Sequence, residues 1–222
     1  MTVFDIMGPV MVGPSSSHTA GAVRIGRLTR ALLGAAPVRA EIRLHGSFSA
    51  TGRGHGTDRA LTAGLLGMEA DDPRLPQSLS LAREVGLYVT FEPVTLPHAH
   101  PNTAVLTVTA ADGRTLTVTA ASLGGSRVKV TGVDDLEVSF SGDLPTLLLR
   151  NRDRPGIVAE VAQLLSAAGV NIATLHLHRE GRGGLAAMVV ESDQPLPGGL
   201  LKALAETDGI ESVRYLDPKG GA

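Results

Sequence analysis

The last third of the chain imposes the tightest constraint on folding, because its apolar pattern changes period in a fixed order. Leu147–Leu149 is a short apolar run, and Pro155-Gly156 opens a segment in which Ile157, Val161, Leu164, Leu165 and Ala168 recur at helical spacing until Gly169. Residues 171–178 and 185–191 read as strands on either side of the Gly181–Gly184 turn, 198–206 as a helix and 210–215 as a final strand. The order βαββαβ over about 70 residues specifies a split βαβ unit.

The preceding region has a different texture. A stretch rich in Ser, Gly and Pro, residues 139–146, marks the seam, and the boundary is placed at 143 to give regions 1–143 and 144–222. Residues 16–33 read as a helix with Gly21, Ile25, Leu28 and Leu32 on one face, while Arg24, Arg27 and Arg30 read as a solvated stripe. Residues 40–50 read as a strand entering a glycine-rich loop from Gly52 to Gly56, followed by a helix over 57–67. A short helix over 79–85 and a strand over 87–91 come next. Residues 103–110 and 115–121 flank Asp112-Gly113, a hairpin signal, and 127–133 adds a strand. The first region is therefore expected to be α+β with a meandering sheet.

Composition excludes several functions. The 222 residues carry 20 basic and 22 acidic side chains, with two tyrosines, four phenylalanines and no tryptophan, so neither a basic footprint nor stacking platforms exist for nucleic acid. The absence of cysteine removes disulfides, thiol nucleophiles, thiolate metal ligands and any self-contained iron–sulfur cluster. Lys129, Lys202 and Lys219 are the only lysines, which leaves few anchors for pyridoxal phosphate. The start MTVFDIMGPVMVGPSSS lacks the basic segment of a signal peptide, and no apolar run reaches membrane length, so a cytoplasmic protein without a membrane partner is expected.

Three polar strings could carry chemistry. Gly13-Pro14-Ser15-Ser16-Ser17-His18-Thr19 precedes the first helix, where serines cap free N–H groups or those N–H groups hold a carboxylate. A helix start disfavours the charged form of His18. Taken alone, a capped turn explains this string as well. Gly46-Ser47-Phe48 leads into Gly52-Arg53-Gly54-His55-Gly56-Thr57-Asp58, where glycines permit close approach of a ligand or merely a flexible loop. The third string is His98-Ala99-His100-Pro101-Asn102-Thr103. His176 and His178 share a strand face, but without a third ligand they read as a solvated surface.

Together GPSSSHTAGAVRIGR, GSFSATGRGHGTD, HPNT and SLGGSRVKV resemble the beta subunits of bacterial two-subunit, iron–sulfur-dependent L-serine dehydratases. RDRPGIVAEVAQLLSAAGVNI resembles an ACT domain, a ferredoxin-like regulatory module that pairs through its sheets. The first region also resembles the substrate-sensing domain of some phosphoglycerate dehydrogenases. The resemblance implies α,β-elimination of L-serine to pyruvate and ammonia, assisted by a [4Fe–4S] cluster on a cysteine-bearing alpha subunit, with no pyridoxal phosphate and no metal on this chain. It implies that His18 and His55 are the imidazoles nearest substrate or cluster. Ser15, Ser16, Ser17 and Thr19 would grip the carboxylate, Gly54 and Thr57 would face the cavity, and Asn102 would orient its loop. His45 stands where relatives often carry tyrosine. In the ACT region it implies an interfacial amino-acid pocket around Asn151, Asp153, Gly156 and Asn171, and a homodimer through the ACT domains. Asn151 and Asp153 depart from the residues usual there, and a turn at Asp153 with Asn171 capping the entry to the strand explains those two positions as well. On this reading the chain alone is inactive. The alternative is a free-standing amino-acid sensor without catalysis.

Overall fold

The computed structural model describes residues 10–179 and 181–218, and of Arg53 the backbone only. The first residues of the leader reading, the Arg53 side chain and Lys219 lie outside the described residues. The chain divides into two compact units between Asp134 and Asp135.

In the first unit a π-helical turn, Ser17–Gly21, runs directly into α1 (Ala22–Leu33). The helix buries Val23, Ile25, Leu28 and Leu32 and stops at Gly34, whose left-handed φ of 70° lets its N–H reach the carbonyls of Arg30 and Ala31. The strands of this unit are β1 (Pro37–His45), β2 (Tyr88–Val94), β3 (Thr103–Ala110), β4 (Thr115–Gly124) and β5 (Arg127–Val133), which lie side by side in the order β2-β1-β3-β4-β5. Along β1, Ala40, Ile42 and Leu44 are buried while Arg39, Glu41 and Arg43 are exposed, so one face meets the core. Pairing of β1 with β2 is parallel, from Arg39 opposite Tyr88 to His45 opposite Val94, and the other ladders are antiparallel.

A parallel pair needs a crossover. Here it consists of α2 (Ser47–His55), α3 (Thr57–Leu65) and α4 (Ser78–Glu84). This corrects the strand and loop expected over 46–56. The strand ends at His45, and Gly52 and Gly54 lie inside α2. Glycine disfavours a helix by about 1 kcal/mol, but tertiary contacts override it. The ring of Phe48 is fully buried, and the Ser47 N–H donates to the Pro101 carbonyl at 2.8 Å. Gly46, at φ 57°, makes the turn, and a Cβ there would lie 2.6 Å from that carbonyl oxygen.

Helices α1 and α3 cross at Gly26 and Gly64, where a Cβ on either would overlap the carbonyl of Leu61 or Val23. The reading of the arginines as a solvated stripe is corrected, because each is held by a polar group elsewhere in the chain. Arg30 Nη1 donates to the Leu65 carbonyl at 3.0 Å, Arg27 pairs with Glu69, and Arg24 Nη1 donates to the Ser126 carbonyl at 3.3 Å. All three are half-buried.

The second unit opens with β6 (Leu136–Phe140), which the sequence reading did not anticipate. Then follow β7 (Thr146–Arg152), α5 (Ile157–Ala167), β8 (Ile172–Arg179), β9 (Leu185–Ser192), α6 (Leu200–Ala205) and β10 (Ile210–Leu216). From β7 onward the order is the expected βαββαβ, and the antiparallel sheet runs β10-β7-β9-β8, as in a ferredoxin-like fold. Leu147 and Leu149 meet Val161, Leu165, Met188, Val190 and Leu204 in its core.

Candidate functional site

His18 is the centre of the site. It is 6% exposed and sits in the π-helical turn, a local irregularity common at functional positions. Its Nδ1 lies 3.2 Å from the hydroxyls of both Ser15 and Ser17. Its Nε2 lies 3.1 Å from Thr51 Oγ1 and 3.4 Å from Ser47 Oγ. The edge of the His55 ring packs on it at 4.9 Å between centroids, and Phe48 at 5.2 Å. Burial pushes the His18 imidazole below its ordinary value, a hydrogen bond with the Ser47 backbone opposes this, and His55 lowers it further. At neutral pH the ring is uncharged.

Ser47, Thr51 and His55 reach His18 because they are spaced by four along α2. Sequence reasoning named His55 but missed Ser47 and Thr51. The i, i+4, i+8 spacing was present, but the expected glycine loop concealed it.

The other strings converge on the same turn. The Pro101 carbonyl holds the start of α2, as described, and the backbone carbonyl of Asn102 accepts the Ser122 N–H at 2.9 Å. Ser122 is fully buried beneath Gly21, and its hydroxyl and Asn102 Oδ1 are buried without a hydrogen-bond partner among the described residues. Ser122 is a third residue that the sequence reading did not single out, although it lies in a string that carried the resemblance. The Ser16 Oγ accepts the Gly125 N–H at 3.4 Å.

The remaining candidates occupy different places. Thr19 is buried against Gly13, where a Cβ would overlap its hydroxyl. Thr57 is fully buried at the start of α3 with its hydroxyl unpartnered, and Gly54 is exposed on α2. Neither is joined to His18 by a hydrogen bond among the described residues. His45 Nδ1 accepts the Leu96 N–H at 3.2 Å and so serves its own loop. A groove of about 540 Å³ runs along α2, lined by Leu44, Phe48, Val89 and Phe91, and none of Ser15 to Thr19 lines it.

In the second unit Asn151 is buried with Oδ1 unpartnered while its Nδ2 donates to the Arg152 carbonyl at 3.0 Å. Asp153 Oδ2 accepts the Gly183 N–H at 3.1 Å and Arg179 Nη1 at 2.9 Å, and these bonds hold its carboxyl below the usual range. Gly156, at φ 91°, starts α5. Asn171 donates to Asp193 at 2.5 Å. Asn151 faces Ala186 and Ile172 faces Ser192, so Asn151 and Asn171 lie toward opposite ends of β9 and one chain does not bring them together. His176 and His178 are exposed, His178 lies 3.5 Å from Glu137, and no group of three metal-ligating side chains occurs among the described residues.

Comparison with known proteins fits this division. Residues 2–132 match the family described as Serine dehydratase beta chain, and 145–209 match the ACT domain. A probable L-serine dehydratase beta chain of Bacillus subtilis is 39% identical over 212 residues, covering 96% of both chains. An L-serine dehydratase beta chain of Peptoniphilus asaccharolyticus is 35% identical and covers 97% of this chain and 98% of its own. An L-serine dehydratase of Escherichia coli is 28% identical over 204 residues, 81% of this chain but 43% of that protein. The chain belongs to the serine dehydratase beta chain family, with an ACT domain following its family-defining region.

Proposed function

We propose that this chain forms the substrate-side wall of an active site shared with a cysteine-bearing alpha subunit, where L-serine loses water and the resulting aminoacrylate becomes pyruvate and ammonia. The observation that carries the reading is His18, uncharged and buried among the hydroxyls of Ser15, Ser17, Ser47 and Thr51 beside His55.

The residues present fit the substrate better than the cofactor. With no cysteine in the chain and no cluster of three His, Asp or Glu ligands among the described residues, a [4Fe–4S] cluster belongs on the partner. When bound there, the cluster supplies Lewis acidity to the departing serine hydroxyl. This chain contributes recognition. The first helical hydrogen bond of the turn is Thr19 N–H to the Ser15 carbonyl at 2.8 Å, so the N–H groups of Ser16 and Ser17 precede it and are placed to take the substrate carboxylate. The uncharged His18 ring offers one nitrogen as an acceptor for a hydrogen bond or a proton. His55, exposed at the end of α2, presents a second imidazole to the open side. Asn102, Thr19 and Ser122 brace the loops and turn that carry these groups. In the E. coli relative the matching part is less than half of a longer chain, which accords with a site completed by other sequence.

The ACT domain is assigned a regulatory and pairing role. A pocket using both Asn151 and Asn171 requires a second copy, because they lie toward opposite ends of β9. No helix among the described residues is long and apolar enough to cross a membrane.

The test is co-expression with the cluster-bearing alpha subunit, purification without oxygen, and measurement of pyruvate formed from L-serine, with each subunit alone as control. Turnover only in the mixture is expected. Turnover by this chain alone overturns the shared site, and serine binding without any turnover in the mixture favours a sensor.

A further inference from the structure

The two nitrogens of a neutral imidazole are not equivalent, and which one carries the proton is set by its partners. For His18 the decisive partner is Thr51. Thr51 has a single hydroxyl proton, and its Oγ1 lies 2.9 Å from the Ser47 carbonyl oxygen one helical turn earlier. A carbonyl can only accept, so the Thr51 proton is committed to it. The lone pairs of the same oxygen then face His18 Nε2 at 3.1 Å. A bare Nε2 would oppose lone pair to lone pair, whereas a protonated Nε2 makes a hydrogen bond.

We infer that Thr51 is a positioning residue that holds His18 in the Nε2–H tautomer, leaving Nδ1 bare and directed at Ser15 and Ser17.

The surrounding contacts are consistent with this assignment. Ser47 Oγ lies farther from Nε2, at 3.4 Å, and its hydroxyl rotates freely enough to accept as readily as donate. On the other side of the ring, Ser15 Oγ accepts the backbone N–H of His18 at 3.4 Å, which uses a lone pair and leaves its proton for Nδ1 at 3.2 Å. Ser17 offers a second hydroxyl at the same distance. The basic nitrogen of the site is therefore Nδ1, facing the serine string at the helix start. A nitrogen at that place adjoins the backbone N–H groups assigned above to the carboxylate. The tautomer itself does not depend on the proposed activity, whereas its catalytic consequence rests on that reading.

The experiment is long-range ¹H–¹⁵N correlation NMR on the full chain with ¹⁵N-labelled histidine, His18 being assigned by the signal lost in His18→Gln. The expected spectrum has a protonated Nε2 and an unprotonated Nδ1 for His18. Thr51→Val, at an exposed helical position, is expected to depopulate that tautomer, and Thr51→Ser, which keeps the hydroxyl, to restore it. An Nδ1–H tautomer in the wild-type chain overturns the inference, and that measurement needs no variant to fold. An unchanged tautomer in Thr51→Val overturns it as well. With the alpha subunit present, Thr51→Val is expected to lower kcat by about 10²-fold with little change in KM, and Thr51→Ser to recover it. An Nε2–H spectrum in the parent that is lost in Thr51→Val, together with no turnover by the wild-type mixture, supports the role of Thr51 and refutes the shared active site, so the two failures are distinguishable.

Discussion

Gly21 rests so closely on Ser122 that a Cβ at residue 21 would overlap the serine hydroxyl. This contact sets the π-helical turn carrying His18 against β4, and Ser122 has nowhere to retreat because it is fully buried. Gly21→Ala is therefore expected to destabilise the chain by about 1–3 kcal/mol, as overpacking of a filled interior does. Urea unfolding of the single variant checks this. Ser122→Gly in the Gly21→Ala background removes the overlapping atoms and should recover most of the loss, because contacting residues couple.

Stability should fall with pH on the acid side, and His18 should account for part of the slope. Its folded value is depressed below the ordinary 6.5, chiefly by burial. As pH drops below 6.5 the unfolded chain binds a proton that the folded chain resists, so stability present above that value is lost as pH falls through the folded pKa. Denaturation curves at a series of pH values should show a shallower decline in His18→Gln than in the parent. Equal slopes would mean that His18 titrates alike in both states.

His55 touches His18 edge-on at 4.9 Å, and its charged form disfavours a second positive charge beside it. His55→Ala should move the His18 titration upward, a shift readable in the NMR spectra that report its tautomer. Burial remains the larger cause, so His18 should still titrate below an exposed histidine. A downward shift would mean that His55 acts on His18 by something other than charge.

The second unit was legible from β7 onward because local signals agree there. Ile157, Val161 and Leu165 keep helical spacing, and Gly156 and Gly169 stand where left-handed backbone is needed. The first unit was legible only where local preference decides. Helix α1 announced itself through Ile25, Leu28 and Leu32. Its arginines were misread because Arg30 is held by the carbonyl of Leu65, far along the chain. Helix α2 was hidden for a related reason. Its serines and glycines argue against a helix, and what enforces it is the Pro101 carbonyl at one end and burial of Phe48. Its site residues Ser47 and Thr51 were hidden with it. The string ending in His18 and Thr19 was visible as a helix start, but the π-helical turn depends on the approach of Gly21 to Ser122, which no local pattern encodes.

Loss of either imidazole should be felt in turnover rather than in assembly. His18 hydrogen-bonds hydroxyls on both sides of its ring, whereas His55 is exposed and meets it by an edge contact alone. With the alpha subunit supplied, His18→Ala should lower kcat by about 10²–10⁴-fold, the usual range for removal of a positioned acid or base. His55→Ala should lower kcat as well. Both variants should still co-purify with the alpha subunit, because neither substitution alters the α1–α3 crossing at Gly26 and Gly64 or the Pro101 anchor of α2. Pyruvate assays and gel filtration on the same preparations separate the two effects. Full turnover by His18→Ala in an intact complex would remove His18 from the reaction, and the polar cluster around it would then serve only to hold the helix start against α2.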